Sequence, residues 1–160
     1  MSCRMGMCVM NFVERKAFVT EKFTERFGTA PELWSRAPGR VDLMGSHTDY
    51  NLGYVMTMTI DRDTWIAARP RDDRKVAIYS LNVDGGSEFD LNQIEHDTAA
   101  PWTNYVRGIA KYLQATGYSL TGFDGLVHST VPFGSGVSSS AALEMAVGVM
   151  FQLMSSVQID

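Results

Sequence analysis

The chain is poor in cysteine. Of its 160 residues only Cys3 and Cys8 are thiols, both within the first ten positions. Two thiols so close together make no disulfide framework, which points to a reducing, cytoplasmic setting. Basic residues are in deficit: 14 Lys and Arg stand against 18 Asp and Glu, a net charge of −4. A nucleic-acid or acidic-membrane partner asks for a basic surface, so both are set aside. Long apolar runs are missing as well, and no stretch reaches the length of a membrane span. The opening "MSCRMGMCVMNFV" lacks a continuous apolar core and a small-residue cleavage site. It is not read as a signal peptide, and residues 1–10 are expected to be disordered. Histidine is scarce too. His47 and Asp49 have no His or Cys cluster around them that would complete a metal centre.

What is present is an ordinary soluble composition, 45% hydrophobic and 20% charged, long enough for one domain with a real core. "NFVERKAFVTEKFTERFG" predicts a helix from about Phe12 to Phe27, with Val13, Ala17, Phe23 and Phe27 on its apolar face and Gly28 ending it. "APELW" reads as a loop. "SRAPGRVDLMGSHTDYNLG" starts as a strand and turns glycine-rich. "YVMTMTI", "TWIAARP", "KVAIYSLN" and "SEFDL" read as successive strands. "WTNYVRGIAKYLQATG" predicts a helix closed by Gly117. "GFDGLVHSTVP" reads as a strand, followed by a last helix from about Ser139 to Met154. Strands first, then helix, strand and helix, suggest an α+β domain with a mixed or antiparallel sheet and helices on one face.

Between that last strand and helix lies "VPFGSGVSSSAALEMA", Val131 to Ala146, a loop without lysine. A helix start exposes unpaired N–H groups and the positive end of the helix dipole, a ready site for phosphate. Gly134 and Gly136 allow close backbone approach. Ser138, Ser139 and Ser140 add hydroxyls for phosphate oxygens or Mg²⁺. The alternative is a small-residue helix entrance packed against the sheet, and composition alone leaves the two about equal. The Walker pattern, which needs Gly-Lys-Ser/Thr, is absent.

Two other segments carry candidate chemistry. "APGRVDLMGSHTDY", Ala37 to Tyr50, gathers Arg40, Asp42, His47 and Asp49 in a glycine-bent stretch. It reads either as a ligand loop or as a polar turn with local ion pairs. "PWTNYV" sets Trp102 and Tyr105 at i, i+3. They could stack on a purine, although core packing is the commoner use of such a pair.

These three segments, in this order, resemble the galactokinases of the GHMP kinase superfamily. "APGRVDLMGSHTDYNLG" resembles the signature Gly-Arg-Val-Asn-Leu-Ile-Gly-Glu-His-Thr-Asp-Tyr-Asn. "WTNYVRG" is similar to the family's Trp-x-Asn-Tyr-Val-x-Gly, and "VPFGSGVSSSAALEMA" to its phosphate loop. The resemblance implies the ribosomal protein S5 domain 2-like fold of the GHMP N-terminal domain. It implies an ATP- and Mg²⁺-dependent sugar 1-kinase whose partners are a small sugar and ATP. By position, Arg40 would stabilise charge on the transferring phosphoryl group. Ser46, His47, Asp49 and Tyr50 would face the sugar. Trp102 and Tyr105 would flank adenine. Pro132, Gly134, Ser135, Gly136, Val137, Ser138, Ser139, Ser140 and Ala141 would form the ATP loop, with Ser140 the preferred Mg²⁺ ligand.

The departures are specific. Ser46 stands where the family has a glutamate that contacts the sugar, which opens the substrate to a uronic acid, a pentose or an amino sugar. Asp42 replaces an asparagine, and Val137 a leucine. The family's catalytic aspartate and C-terminal domain lie beyond the matched positions. The 160 residues are therefore expected to be the N-terminal part of such a kinase, inactive alone, with Met145, Met150 and Met154 as an exposed apolar patch. A sensor that binds sugar and ATP without transfer is the alternative class.

Overall fold

The computed structural model describes residues 10–45, 47–83, 85–156 and 158. Most of the expected disordered start, residues 1–9, lies outside the described residues. Helix α1 spans Phe12–Phe27. Its start is fixed by a capping box: Asn11 Oδ1 accepts from Glu14 N at 3.0 Å, and Glu14 Oε2 accepts from Asn11 N at 3.0 Å. Its end is Gly28, at φ 77°, a conformation that favours glycine. The buried stripe is Arg15, Val19 and Phe23. Val13 and Ala17, expected on the inner face, are exposed. The stripe is displaced because a charged residue, Arg15, occupies one of its inward positions, held by acceptors distant in sequence.

Five strands form one mixed sheet in the order β1-β2-β5-β3-β4. They are β1 (Leu33–Met44), β2 (Met56–Arg71), β3 (Lys75–Ser80), β4 (Gly86–Asp90) and β5 (Gly122–Ser129). Among the described residues, only β3 and β5 pair in parallel. The segments "YVMTMTI" and "TWIAARP" are one continuous strand, β2. Its first residues pair with β1 alone and are exposed, Thr64 to Ala68 pair with both β1 and β5, and Arg69 to Arg71 pair with β5 alone. Helices α2 (Thr103–Ala115) and α3 (Ser139–Ser155) complete the fold.

The α+β class, the mixed sheet and the helix positions agree with the sequence reading. Its placement of the helices on one face does not. The packed faces of α2 and α3 lie against Ile66, Ala68, Val76, Ile78 and Val127 in the main core. Helix α1 lies on the opposite face, where Val19 and Phe23 meet Ala67 and Leu126. The central strand β5 is buried at all eight positions, so both faces of the sheet need a cover. Met150 and Met154, expected to be exposed, belong to the core. The exposed apolar line on α3 is Met145, Val149 and Leu153, at i, i+4 and i+8. Among the described residues, no helix is long and apolar enough to cross a membrane.

Candidate nucleotide and sugar site

The parallel pair β3–β5 ends at Ser80 and Ser129, and the carboxyl ends of parallel strands are where open sheets expose a ligand crevice. A cavity of about 370 Å³ opens there. Its walls include Thr64, Ser80, Val83 and Ser129 from the sheet side, Trp102 and Tyr105 from α2, and Phe133, Gly134, Ser139, Ser140 and Leu143 from the loop and α3. The size suits a small organic ligand. Trp102 Nε1 is buried without a hydrogen-bond partner among the described residues. A buried indole N–H normally has an acceptor, so an acceptor-bearing ring in this cleft would relieve a real deficit.

The loop feeding α3 has the backbone of an anion cradle. Gly134 and Gly136 sit at φ 70° and 75°, and Ser138, the N-cap, at φ 59°. For a residue with a side chain that conformation is strained, and such strain gathers at ligand sites. Ser138 makes no side-chain cap bond. The first helical bond at this end runs from Ala142 N to Ser138 O at 3.0 Å. The N–H groups of Ser139, Ser140 and Ala141 therefore precede the hydrogen-bonded turns and remain available to an anion.

Both ends of the loop are tied to the sheet. At its entry, Thr130 N donates to Asp63 O at 2.9 Å, and Asp63 N pairs with Thr130 Oγ1 at 3.0 Å. At its exit, Arg40 N donates to Val137 O at 3.2 Å. Gly39 makes that second approach possible, because a Cβ there would lie 2.9 Å from Val137 O.

Arg40 sits on β1 with its side chain 45% exposed. Its Nε lies 3.6 Å from Asp42 Oδ1, an oxygen that is buried without a hydrogen bond. That oxygen thus meets its nearest opposite charge in Arg40, while the side chain as a whole stays 31% exposed. In the β1–β2 turn, His47 Nδ1 and Tyr50 Oη are 2.8 Å apart, and both residues are exposed. Asp49 begins a short 3-10 turn, Asp49–Asn51. Ser46 and the Asp49 side chain lie outside the described residues.

The candidate nucleotide residues are only partly brought together. Trp102, Tyr105, Gly134, Ser139 and Ser140 share the cleft. Pro132 lines a different cavity, on the α1 face. Ser135, Gly136, Val137, Ser138 and Ala141 shape the loop without lining the cleft wall. Thr64, Ser80, Val83, Ser129 and Leu143 were missed by sequence reasoning. The parallel β3–β5 ladder, which ends at Ser80 and Val127, and the Asn82–Ser129 bonds just beyond it bring Ser80 and Ser129 to one end of the sheet, and single-sequence patterning does not show pairing.

No group of three or more His, Cys, Asp or Glu among the described residues could hold a metal ion. A Mg²⁺ ion fits here only as one carried on phosphate oxygens, with serine hydroxyls such as Ser140 as further ligands. The cleft and loop fit an adenine nucleotide better: an apolar, aromatic-walled pocket meets a helix start with free donors.

Comparison with known proteins places this geometry. Residues 21–70 match the galactokinase galactose-binding signature, and residues 104–160 match the GHMP kinases N terminal domain. Galactokinase of Chloroflexus aggregans is 52% identical over 137 residues, covering 86% of this chain and 35% of that protein. Galactokinase of Staphylococcus carnosus is 38% identical over 142 residues, covering 87% and 37%. The crystal structure of Lactococcus lactis galactokinase complexed with galactose superimposes with a TM-score of 0.83 at 40% identity, over 90% of this chain and 38% of that one. A mevalonate kinase structure, 19% identical with a TM-score of 0.66, shares the fold. The chain spans little more than a third of the length of the galactokinases it matches. With two family signatures in order and a closely superimposing structure, the chain belongs to the galactokinase family of the GHMP kinases and corresponds to its N-terminal portion.

Proposed function

We propose that the protein acts in transfer of the γ-phosphoryl group of ATP to the anomeric hydroxyl of galactose or a closely related sugar. The observation that carries this reading is the cleft walled by Trp102 and Tyr105, which runs onto the unpaired N–H groups of α3. Magnesium-bound ATP supplies the electrophilic phosphorus and a partly neutralised phosphate chain. The residues here supply position and field. The aromatic pair holds the base. Ser139, Ser140 and Ala141 N–H groups face the phosphates without reorganising. Arg40, joined to the loop through Val137 O, carries a fixed positive charge beside the loop, as phosphoryl transfer requires. His47 and Tyr50 offer hydrogen bonds to sugar hydroxyls.

The substrate assignment rests on the galactose-binding signature and on galactose in the Lactococcus lactis structure. Ser46 favours a second reading within the same chemistry. A short neutral group there leaves room for a substituent on the sugar. Cysteine scarcity and acidic balance support a cytoplasmic protein whose partners are a small sugar and ATP rather than nucleic acid or a membrane.

The test is calorimetric titration of the 160-residue chain with magnesium-ATP, then a turnover assay. Saturable 1:1 binding is expected, weakened at least tenfold by Tyr105→Ala. No sugar 1-phosphate above a mock preparation is expected, because the aspartate that the family resemblance assigns as base is not among the matched positions. No ATP binding at millimolar concentration would sink the nucleotide reading. Turnover by the 160 residues would sink the view that they are inactive alone.

A further inference from the structure

A second cavity, larger than the nucleotide cleft, is lined by described residues elsewhere in the molecule. It lies on the α1 face of the sheet and has a volume of about 510 Å³. Its walls combine two features. One is aromatic: Phe12 and Trp65 meet at 4.9 Å between ring centroids, tilted by 60°, and Phe133 closes the side next to the loop. The other is a pair of guanidinium groups with spare donors. Arg36 bonds only through Nε, to Asp63 Oδ2, and its side chain is 59% exposed. Arg62 has a single ion pair of 3.7 Å to Asp61, whose side chain is 90% exposed, and makes no hydrogen bond to a described residue. Among the described residues both therefore leave N–H groups without an acceptor, on guanidinium forks of the shape that suits a carboxylate.

The floor is rigid. Arg15 is buried and fully engaged. It donates through Nε to His128 Nδ1 at 2.8 Å and through a terminal nitrogen to His128 O at 2.7 Å, and it pairs with Asp63. Its guanidinium lies 4.4 Å from the Trp65 ring centroid. Because Nδ1 accepts, the imidazole proton sits on Nε2, for which no described residue supplies an acceptor. Burial and the adjacent Arg15 hold the His128 pKa down to about 4, so the ring is neutral near pH 7. These bonds hold His128, and the Arg15 guanidinium and neighbouring rings pack Trp65 in place, whether or not a ligand is present.

We propose that this cavity is a second binding site, for a flat organic carboxylate of the aromatic-acid class. The ring lies against Phe12, Trp65 and Phe133, and the carboxylate accepts from Arg36 and Arg62. Ser129 and Phe133 line both this cavity and the nucleotide cleft, so occupation of one is felt in the loop of the other. The site stands independently of the kinase reading, since Phe12, Trp65 and Arg62 lie outside the three motif segments and only its Phe133 side is shared with the phosphate loop.

The test titrates the 160-residue chain with 2-naphthoate by calorimetry and locates the probe by NMR contacts to the Trp65 ring. Saturable 1:1 binding is expected, with contacts to Trp65 and a loss of at least tenfold in Arg62→Glu. Phe12→Ala should weaken it without lowering the unfolding midpoint by more than a few degrees. Tyr105→Ala should leave it unchanged, which separates this site from the nucleotide cleft. The absence of saturable binding, unchanged affinity in Arg62→Glu, or a probe without contact to Trp65 would each overturn the proposal.

Discussion

Gly39 is where stability and nucleotide binding should be separable by one methyl group. A Cβ built there lies 2.9 Å from Val137 O, 3.1 Å from Val131 Cγ1 and 3.2 Å from Ile60 Cδ1. Ordinary contact begins at 3.4 Å, so the loop must retreat by about 0.5 Å from its backbone neighbour alone. The retreat strains the Arg40 N to Val137 O bond, already 3.2 Å. Overpacking of this kind costs about 1–3 kcal/mol, and a lost backbone bond about 1 kcal/mol. Gly39→Ala should therefore lower the unfolding free energy by about 2 kcal/mol in urea titrations. A charge-assisted bond from the loop to a phosphate contributes about 1.5–3 kcal/mol. Misplacing one such donor should weaken ATP by about tenfold or more. Val137 also ties the loop to Arg40, so both phosphate cradle and arginine shift together. Full ATP affinity in a destabilised Gly39→Ala protein would refute the claim that this contact sets the loop.

Other expectations follow from the same structure. Gly148, inside α3, has nothing within 4 Å of a built Cβ, so Gly148→Ala should stabilise by about 0.5–1 kcal/mol in the same assay. Met150→Ala should cost about 2–5 kcal/mol, because Met150 is fully buried, whereas Met145→Ala, 64% exposed, should stay within about 0.5 kcal/mol. His128 has its pKa lowered to about 4 by burial and Arg15. Between that value and the unfolded value near 6.5 the unfolded chain binds the extra proton, so stability should fall as pH drops through this window, and His128→Gln should flatten the slope. For Asp63, burial alone would raise the pKa, but hydrogen bonding and charge from Arg15, with hydrogen bonding from Arg36, leave it lowered. Its contribution is present above the unfolded value of about 3.9 and is lost at still lower pH, so acid unfolding should come in two stages, measurable by circular dichroism.

The helices were legible because each carries its own boundary chemistry. Asn11 with Glu14 opens α1 and Gly28 closes it, and these signals act within a few residues. The three motifs were legible for a related reason: each is contiguous, and its glycines and serines state their backbone requirements locally. What stayed hidden was set by distant partners. Arg15 looks like a surface residue on a charged helix, and its burial depends on Asp63 and His128, 48 and 113 residues away. The two-sided cover of the sheet was available in one place only. "GFDGLVHS" does not alternate, and a strand without alternation is buried on both faces. Ser80 and Ser129 reach the cleft through the parallel pairing of β3 with β5 and the Asn82–Ser129 bonds just beyond it, a topological fact that no local pattern encodes.

The two anchors of the phosphate loop explain why Asp63 matters beyond its ion pairs. Its main chain holds Thr130 at the loop entry, and its carboxylate holds Arg15 and Arg36. The exit is held independently by Arg40 and Val137. Between those points Gly134 and Gly136 meet nothing within 4 Å of a built Cβ, and both sit at positive φ. The loop is therefore anchored to the sheet at its ends, while in its middle the side-chain bond among the described residues is local, from Ser135 Oγ to Pro132 O at 3.0 Å. Such a segment can close on a phosphate chain with little rearrangement of the sheet. Gly134→Ala and Gly136→Ala should then act through backbone strain in the loop, weakening ATP with little change in urea stability. Asp63→Asn should do the reverse. It leaves buried Arg15 without its anionic partner, at a cost of about 3–5 kcal/mol, and affects ATP only as far as the fold loosens. If Asp63→Asn weakened ATP at temperatures where it is fully folded, the entry anchor would transmit more to the loop than this division allows.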